Sequence, residues 1–348
     1  MRSLTARRLV PILALVLAGC GSSGASSTSP SSAAAPTSAT ATASTSSSAA
    51  APPSAVADLT AAEHPGISQF PAANGRSLRK LATLVSSSAQ LGAATGTFTP
   101  GTQRLAFGLN TSAGTLVYAP TALYISRGAG APATGPFLAP ADPTTVPVAD
   151  RSQQNAGPGG LRAIYATQLP IPQPGTYTIL ALSRTSKGLI GSPGEIAVAR
   201  SSPIPAVGQR PPAIPTDTVA SVGGNLSLLT TRTPPESMHS VALNQVLGKR
   251  PVALLFSTPQ FCTSRVCGPV TDVTVALQHQ FGNRIAFIHQ EVFADNQPST
   301  GLRAQMKAFH LQTEPWLFAI NRRGIIVARL EGAFGTTELA AALRAALR

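Results

Sequence analysis

The sequence predicts a multi-domain chain: an all-β sandwich over residues 60–203, then an α/β region over residues 236–348 with the order β-α-β-α-β-β-α. Three observations predict it. Short runs rich in β-branched and aromatic residues recur from about residue 103, separated by Gly and Pro, the pattern of strands in an all-β domain. A proline-dense stretch, IPAVGQRPPAIPT at 204–216, then carries Pro205, Pro211, Pro212 and Pro215; such spacing favours an extended connector, and residues 204–235 are read as a linker. Beyond it the apolar period alternates between strand and helix. With residues 1–57 set aside, roughly 290 residues remain, more than one core usually serves.

In the first region SLRKLATLV (77–85) places Leu78, Leu81, Ala82 and Val85 at helical spacing for one or two turns. QRLAFGLN puts Leu105, Phe107 and Leu109 on one strand face. TLVYAP, TALYIS, LRAIYATQL and GTYTILALS follow as strands, and EIAVA (195–199) closes the series. The Gly-, Ala- and Pro-rich residues 127–160 read as a long loop between strands. Pro174-Gly175-Thr176-Tyr177 resembles the start of a late strand in immunoglobulin-like domains, which implies an immunoglobulin-like sandwich. No cluster of His, Cys or carboxylates marks a site here, so a packing or partner-binding module is expected.

In the second region PVALLFS (251–257) is a continuous apolar run of strand length, as for a central strand buried on both faces. Val266, Val270, Val273, Leu277 and Phe281 follow in steps of 4, 3, 4 and 4, a helix face that Gly282-Asn283 ends. RIAFIHQEVF is a second strand. STGLRAQMKAFHLQ is a second helix with Leu302, Met306 and Phe309 on one stripe. PWLFAI and GIIVARLEG are two strands joined by Asn321-Arg322-Arg323-Gly324, and TTELAAALRAAL is a closing helix of strong helix formers.

The chain opens MRSLTARRLVPILALVLAGC. Arg2, Arg7 and Arg8 precede the apolar run Leu9–Leu17, which is too short for a stable membrane span. With Leu17-Ala18-Gly19-Cys20 it resembles the lipobox of bacterial lipoproteins. That resemblance implies a signal peptide over 1–19, cleavage before Cys20 and lipidation of the Cys20 sulfur by palmitate-type chains. Residues 21–57 carry no charge and are almost all Ser, Ala, Thr, Gly and Pro, so residues 20–57 are expected to be an unstructured tether. The expected location is the extracytoplasmic face of the cell membrane, with the lipid membrane a partner through Cys20.

Lys and Arg total 26 against 13 Asp and Glu, a formal charge of +13. Removing the three signal arginines leaves 23 against 13, or +10. The basic residues are scattered, with no run longer than two and no interleaved aromatics. This is a solvated basic surface suited to anionic headgroups, and nucleic acid is excluded as an expected partner.

Of the three cysteines, only Cys262 and Cys267 remain once Cys20 is lipidated; in an oxidising compartment they can pair. They lie in STPQFCTSRVCGPV (257–270). In a regular α-helix residues five apart have Cα atoms about 8.7 Å apart, and a disulfide needs less than about 7 Å. Both cannot be helical while bonded. Proline favours the first helical turn, so the helix is expected to start at Gly268–Pro269, with Cys267 at its N-cap and Cys262 in the loop before. The free N–H groups of that start, with Arg265 nearby, favour a thiolate on Cys267. Cys267 is therefore expected to attack, and Cys262 to be its partner in a reversible disulfide. A permanent staple is the alternative, but so short a loop gains little from cross-linking.

Three features of residues 236–348, about a third of the chain, resemble the thioredoxin fold: an apolar strand leading to Cys267-Gly268-Pro269, a proline opening the third strand (Pro315), and the hairpin-plus-helix ending. The resemblance implies thiol-disulfide oxidoreductase activity and a cis-proline at Pro315 beside the active sulfur. The catalytic set is then Cys262, Cys267 and Pro315, with an unknown protein redox partner and no cofactor. The sequence departs from that family at three places. Val270 stands where a second downstream cysteine would be, Leu254 and Leu255 replace a buried carboxylate, and Glu314 precedes the proline. A carboxylate near a sulfur opposes thiolate formation.

Other readings use the same residues. The chain could be a non-catalytic binding lipoprotein. Copper chaperones of the cytochrome oxidase assembly type share the fold, a close cysteine pair and a distant histidine; two thiolates and an imidazole suit copper, and His310 is better placed than His279 or His289. No metal is otherwise expected. A thiol peroxidase reading rests on Thr258-Pro259, but peroxiredoxins carry the Thr three residues before the reactive cysteine, and Thr258 is four before Cys262.

Overall fold

The computed structural model describes residues 58–155 and 160–348. The signal segment, Cys20 and the tether lie outside the described residues. The helices are α1 (Leu59–Glu63), α2 (Leu78–Ala82), α3 (Leu243–Val246), α4 (Cys267–Phe281), α5 (Ala304–Ala308) and α6 (Thr336–Ala346). The strands are β1 (Val85–Ser88), β2 (Gln90–Ala93), β3 (Gly101–Asn110), β4 (Thr121–Ser126), β5 (Thr134–Leu138), β6 (Ala141–Pro143), β7 (Ala163–Ile171), β8 (Gly175–Thr185) and β9 (Gly188–Val198). After a long interval come β10 (Val252–Phe256), β11 (Ala286–Gln290), β12 (Trp316–Ile320) and β13 (Ile326–Glu331).

Among the described residues these strands form three sheets. One has the order β1-β9-β8-β4-β5 and is mixed, because β1 runs parallel to β9. The second, β2-β3-β7-β6, is antiparallel. The third, β11-β10-β12-β13, is mixed: β10 is parallel to β11 and antiparallel to β12.

Alternation decides which side of β3 meets which core. Leu105, Phe107 and Leu109 turn to a cluster with Tyr165 and Ile179, leaving Ala106 and Gly108 on the other face. In β10 every residue is buried. Val252, Leu254 and Phe256 join Phe309, Trp316 and Phe318, while Ala253 and Leu255 join Val273, Leu277 and Leu343. A continuous apolar run has this consequence when both faces of a sheet are covered. Helix α4 buries the spaced face Val270, Val273, Leu277 and Phe281, and Gly282 at φ +57° caps it.

The chain does not adopt an all-β sandwich followed by a thioredoxin-like fold. It is a mixed α/β structure with three mixed or antiparallel sheets. Helices α1 and α2, two single-turn helices (Val148–Asp150 and Gln153–Asn155) and the parallel β1–β9 pair all interrupt the expected sandwich. The described residues fall into one compact unit, and a single apolar cluster joins Ala106, Val146 and Ile164 to Val270, Leu277, Phe334 and Leu343. The physical reason is that local period assigns a strand but not its packing partner. Here polar anchors bind the regions together. Arg104 on β3 meets Glu338 on α6 through two bonds (2.5 and 2.7 Å) and donates to the carbonyls of Glu331 and Ala333 at 2.6 Å each. The Asp142 carboxylate accepts the first N–H groups of α6, from Gly335, Thr337 and Glu338, at 2.9–3.0 Å. The expected linker residues 204–235 contribute buried Ile204, Leu229 and Arg232.

This packing predicts a specific sensitivity. Gly332 has φ +70°, and a Cβ there would run into the Ala94 carbonyl oxygen. Gly332→Ala is expected to cost at least about 2 kcal/mol from backbone strain and a displaced contact. The checking measurement is the urea midpoint of the full chain; an unchanged midpoint contradicts the contact. Among the described residues no helix is long and apolar enough to cross a membrane.

Candidate functional site

Strand β10 delivers the chain into the fully buried pair Ser257-Thr258. A turn follows, closed by the Arg265 N–H donating to the Cys262 carbonyl at 3.1 Å, with Arg265 at φ +59°. Helix α4 then begins at Cys267, earlier than the expected Gly268–Pro269 start. Its N-cap is Val266, whose side chain makes no cap bond. Pro269 takes the third helical position, where its missing N–H deprives the helix of no internal bond.

The early start reverses the expected roles of the two sulfurs. The Cys267 N–H points back to the Cys262 sulfur at 3.4 Å, so Cys262 caps the helix. Ser264 Oγ lies 3.2 Å from the same sulfur. The Cys262 thiol is brought down to about 6: the hydrogen bond from the Cys267 side chain is the largest cause, burial opposes it, and Ser264 and the N–H groups of Cys267 and Val266 assist. Cys267 is fully buried. Burial pushes its thiol well above the ordinary value, and the bond to Cys262 and the charge on Cys262 add to this. Both cysteines are free thiols. Arg265, expected to support a thiolate, is exposed. Gly268 has a positional role: a Cβ there would sit 3.1 Å from Gln154 Cβ, so its absence lets residues 152–155 approach the helix start.

Glu314 completes the group. Its carboxylate and the two sulfurs lie within 4.8 Å of one another. Burial first, and the charge on Cys262 second, push the Glu314 carboxyl up to about 7. The Glu314-Pro315 bond is cis, and buried Pro315 leads directly into β12. His310 is exposed at φ +57° and does not join the cysteines. His279, 63% exposed, bonds Asp150 at 3.0 Å. Thr258 offers a backbone N–H to Cys267, and its own hydroxyl is buried without a partner.

Two buried polar clusters support the helix start. Asp272 on α4 accepts Arg232 Nε at 2.9 Å, and Ser152 and Asn155 at 3.0–3.1 Å. On the other side, one Glu236 oxygen meets His239 Nε2 and His289 Nδ1, both at 2.6 Å. Around a tetrahedral ion with bonds of about 2.0–2.1 Å, neighbouring donors lie about 3.3 Å apart; separations of 2.6 Å are those of hydrogen bonds. Burial pushes the Glu236 carboxyl up, but the two imidazoles outweigh it and hold the group well below its ordinary value. Burial likewise pulls His289 down, and Glu236, with Glu291, outweighs it and leaves His289 raised. His289 Nε2 bonds Ser257 Oγ at 2.8 Å, Ser257 bonds Thr271 at 2.8 Å, and the Thr271 hydroxyl donates to the Cys267 carbonyl at 2.8 Å. Glu236 and His239 were not among the expected site residues; their Glu-x-x-His spacing was the available signal.

A cleft of about 1040 Å³ ends at this site. Ser264, Arg265 and Glu314, which surround Cys262, line one end, although neither sulfur does; residues of β2, β3 and β9 and of the segments 94–98, 154–155, 160–164 and 331–332 line much of the rest. In comparison with known proteins, no family model matches the chain and no curated protein matches it.

Proposed function

We propose that this is an extracytoplasmic, membrane-anchored thiol-disulfide oxidoreductase that works through a reversible Cys262–Cys267 disulfide and is held to the membrane by a lipid on Cys20. The Cys262 thiolate attacks one sulfur of a partner disulfide. A Cys262–partner disulfide forms and the partner's other sulfur leaves as a thiolate. Cys267 then passes its proton to the Glu314 carboxylate and attacks the Cys262 sulfur. The partner's second thiolate leaves, the Cys262–Cys267 bond closes, and two electrons have passed to the partner. A dithiol protein at the membrane surface resets the pair by the reverse exchange.

The observation that carries this reading is the unequal pair: a helix-capped sulfur held near 6 beside a buried thiol that hydrogen-bonds it. Exchange needs one reactive thiolate and one resolving thiol, and a buried staple needs neither inequality. The test uses Cys267→Ser, which stops the sequence halfway. Reduced Cys267→Ser protein mixed with a peptide disulfide is expected to hold one peptide covalently on Cys262, seen by mass mapping, and Cys262→Ser is expected to hold none. No adduct on Cys262 overturns the reading, as does stoichiometric Cu(I) uptake by the reduced protein without peptide exchange.

A further inference from the structure

The far wall of the cleft is built in a way that neither the fold nor the cysteine chemistry requires. On the β2–β3 ladder Gly92 stands directly opposite Gly108, and both line the cleft. Neither has a positive φ, and a Cβ on either would meet nothing within 4 Å. Turn geometry and internal packing therefore do not call for glycine at these positions. Glycine inside a strand costs about 0.5–1 kcal/mol relative to alanine, and it commonly marks a place where a ligand or another backbone comes close. Leu91, Phe107 and Leu109 face the core on the opposite side of this ladder. The glycine pair thus presents bare backbone to the cleft.

Size and charge narrow the occupant. Small-molecule pockets run to about 300–1,000 Å³, and this cleft, at about 1040 Å³, has more room than a small thiol fills. Three of the chain's 13 acidic residues line it (Glu195, Glu314 and Glu331), against one of its 26 basic residues, Arg265. The local balance is the inverse of the whole chain's. Glu331 spends both oxygens on the Gly96 and Thr97 N–H groups and Glu314 is pushed up to about 7, which leaves exposed Glu195 as the main free charge to meet an occupant.

We infer that the cleft binds an extended polypeptide segment with neutral or basic side chains, laid across Gly92 and Gly108 so that its disulfide lies at the Ser264–Glu314 end, beside the Cys262 sulfur. The covalent part rests on the exchange proposed above; the binding surface does not. A backbone approaching bare backbone gains close contact without a side-chain match, so the surface selects extended chain and net charge rather than one sequence.

The test uses the full-length reduced protein and two peptide disulfides of equal length, one flanked by lysines and one by glutamates. Hydroxyethyl disulfide serves as a small neutral substrate, and a serine-for-cysteine copy of the lysine peptide reports binding alone by calorimetry. The lysine peptide is expected to bind and exchange faster than the glutamate peptide, and Glu195→Lys is expected to reduce that preference. Gly108→Leu and Gly92→Leu are each expected to weaken binding of the serine copy and to slow peptide exchange by at least about ten-fold. Reaction with hydroxyethyl disulfide is expected to stay within about two-fold of the unsubstituted protein, which also shows that the variants fold. Equal handling of the two peptides overturns the inference. So do leucine variants that leave peptide binding unchanged or slow the small disulfide equally. If neither disulfide reacts while the serine copy still loses affinity in the leucine variants, the exchange reading falls and the surface stands.

Discussion

At pH 6, iodoacetamide is expected to label Cys262 about ten-fold faster than an ordinary cysteine and to leave Cys267 unlabelled in the folded protein. A thiol titrating near 6 is half ionised there, against about 0.3% for a cysteine at the ordinary value near 8.5. The roughly 150-fold gain in thiolate is offset about thirteen-fold by the weaker nucleophilicity of a low-pKa sulfur. The rate should rise through a midpoint near 6 and then level off. Cys267 is protonated and fully buried, so its labelling should wait for unfolding. Cys267→Ala removes the side-chain hydrogen bond that most lowers Cys262 and should move the midpoint upward, cutting the pH 6 rate several-fold. A midpoint that stays near 8.5 in the unsubstituted protein, or faster labelling of Cys267 than of Cys262, contradicts the assignment.

Glu236→Ala is expected to remove about 3–5 kcal/mol of stability, because it strands two buried imidazoles without their shared acceptor. Side chains of Glu236, His239 and His289 are each at most 1% exposed, so water cannot replace the lost oxygen. The pH dependence has a definite sign. Glu236 is depressed in the folded protein; its contribution is present above the unfolded value near 4.5 and is lost as pH falls through the folded value. His289 is raised; its contribution is full below the unfolded value near 6.5 and is lost as pH rises through the folded value. The stability difference between the parent and Glu236→Ala should therefore be greatest between about pH 4.5 and 6.5. Urea unfolding of both proteins across pH 3–9 measures it, and a difference that does not vary with pH contradicts the buried charge cluster.

What was legible in the sequence follows the range of each signal. The apolar run 251–257 and the spacing of Val270, Val273, Leu277 and Phe281 gave β10 and α4, because burial on a strand or a helix stripe is written within a few residues. The Asn321–Gly324 turn is equally local, whereas Pro315 was singled out only through the thioredoxin resemblance, and the cis state of its peptide bond is not written in the residues around it. The assembly was not. Arg104 and Glu338 are 234 residues apart and Asp142 and Gly335 are 193 apart, and no local period announces that such anchors join β3 and β6 to α6. The site shows the same limit on a smaller scale. The pair of cysteines was visible, but which sulfur caps the helix depends on a turn with Arg265 in the left-handed region, a conformation its residue type does not suggest. Glu236 and His289 lie 53 positions apart, so His289 read alone looks like a strand residue among apolar neighbours.

The most direct test of the central proposal is a redox titration of the full-length protein with acid quenching, alkylation and mass mapping of both thiols. Cys262 and Cys267 are expected to convert together in one two-electron transition, at a potential above about −300 mV, where a protein partner can open and close the bond. A potential below about −300 mV, leaving the disulfide permanently closed, or two thiols that oxidise independently, would contradict it.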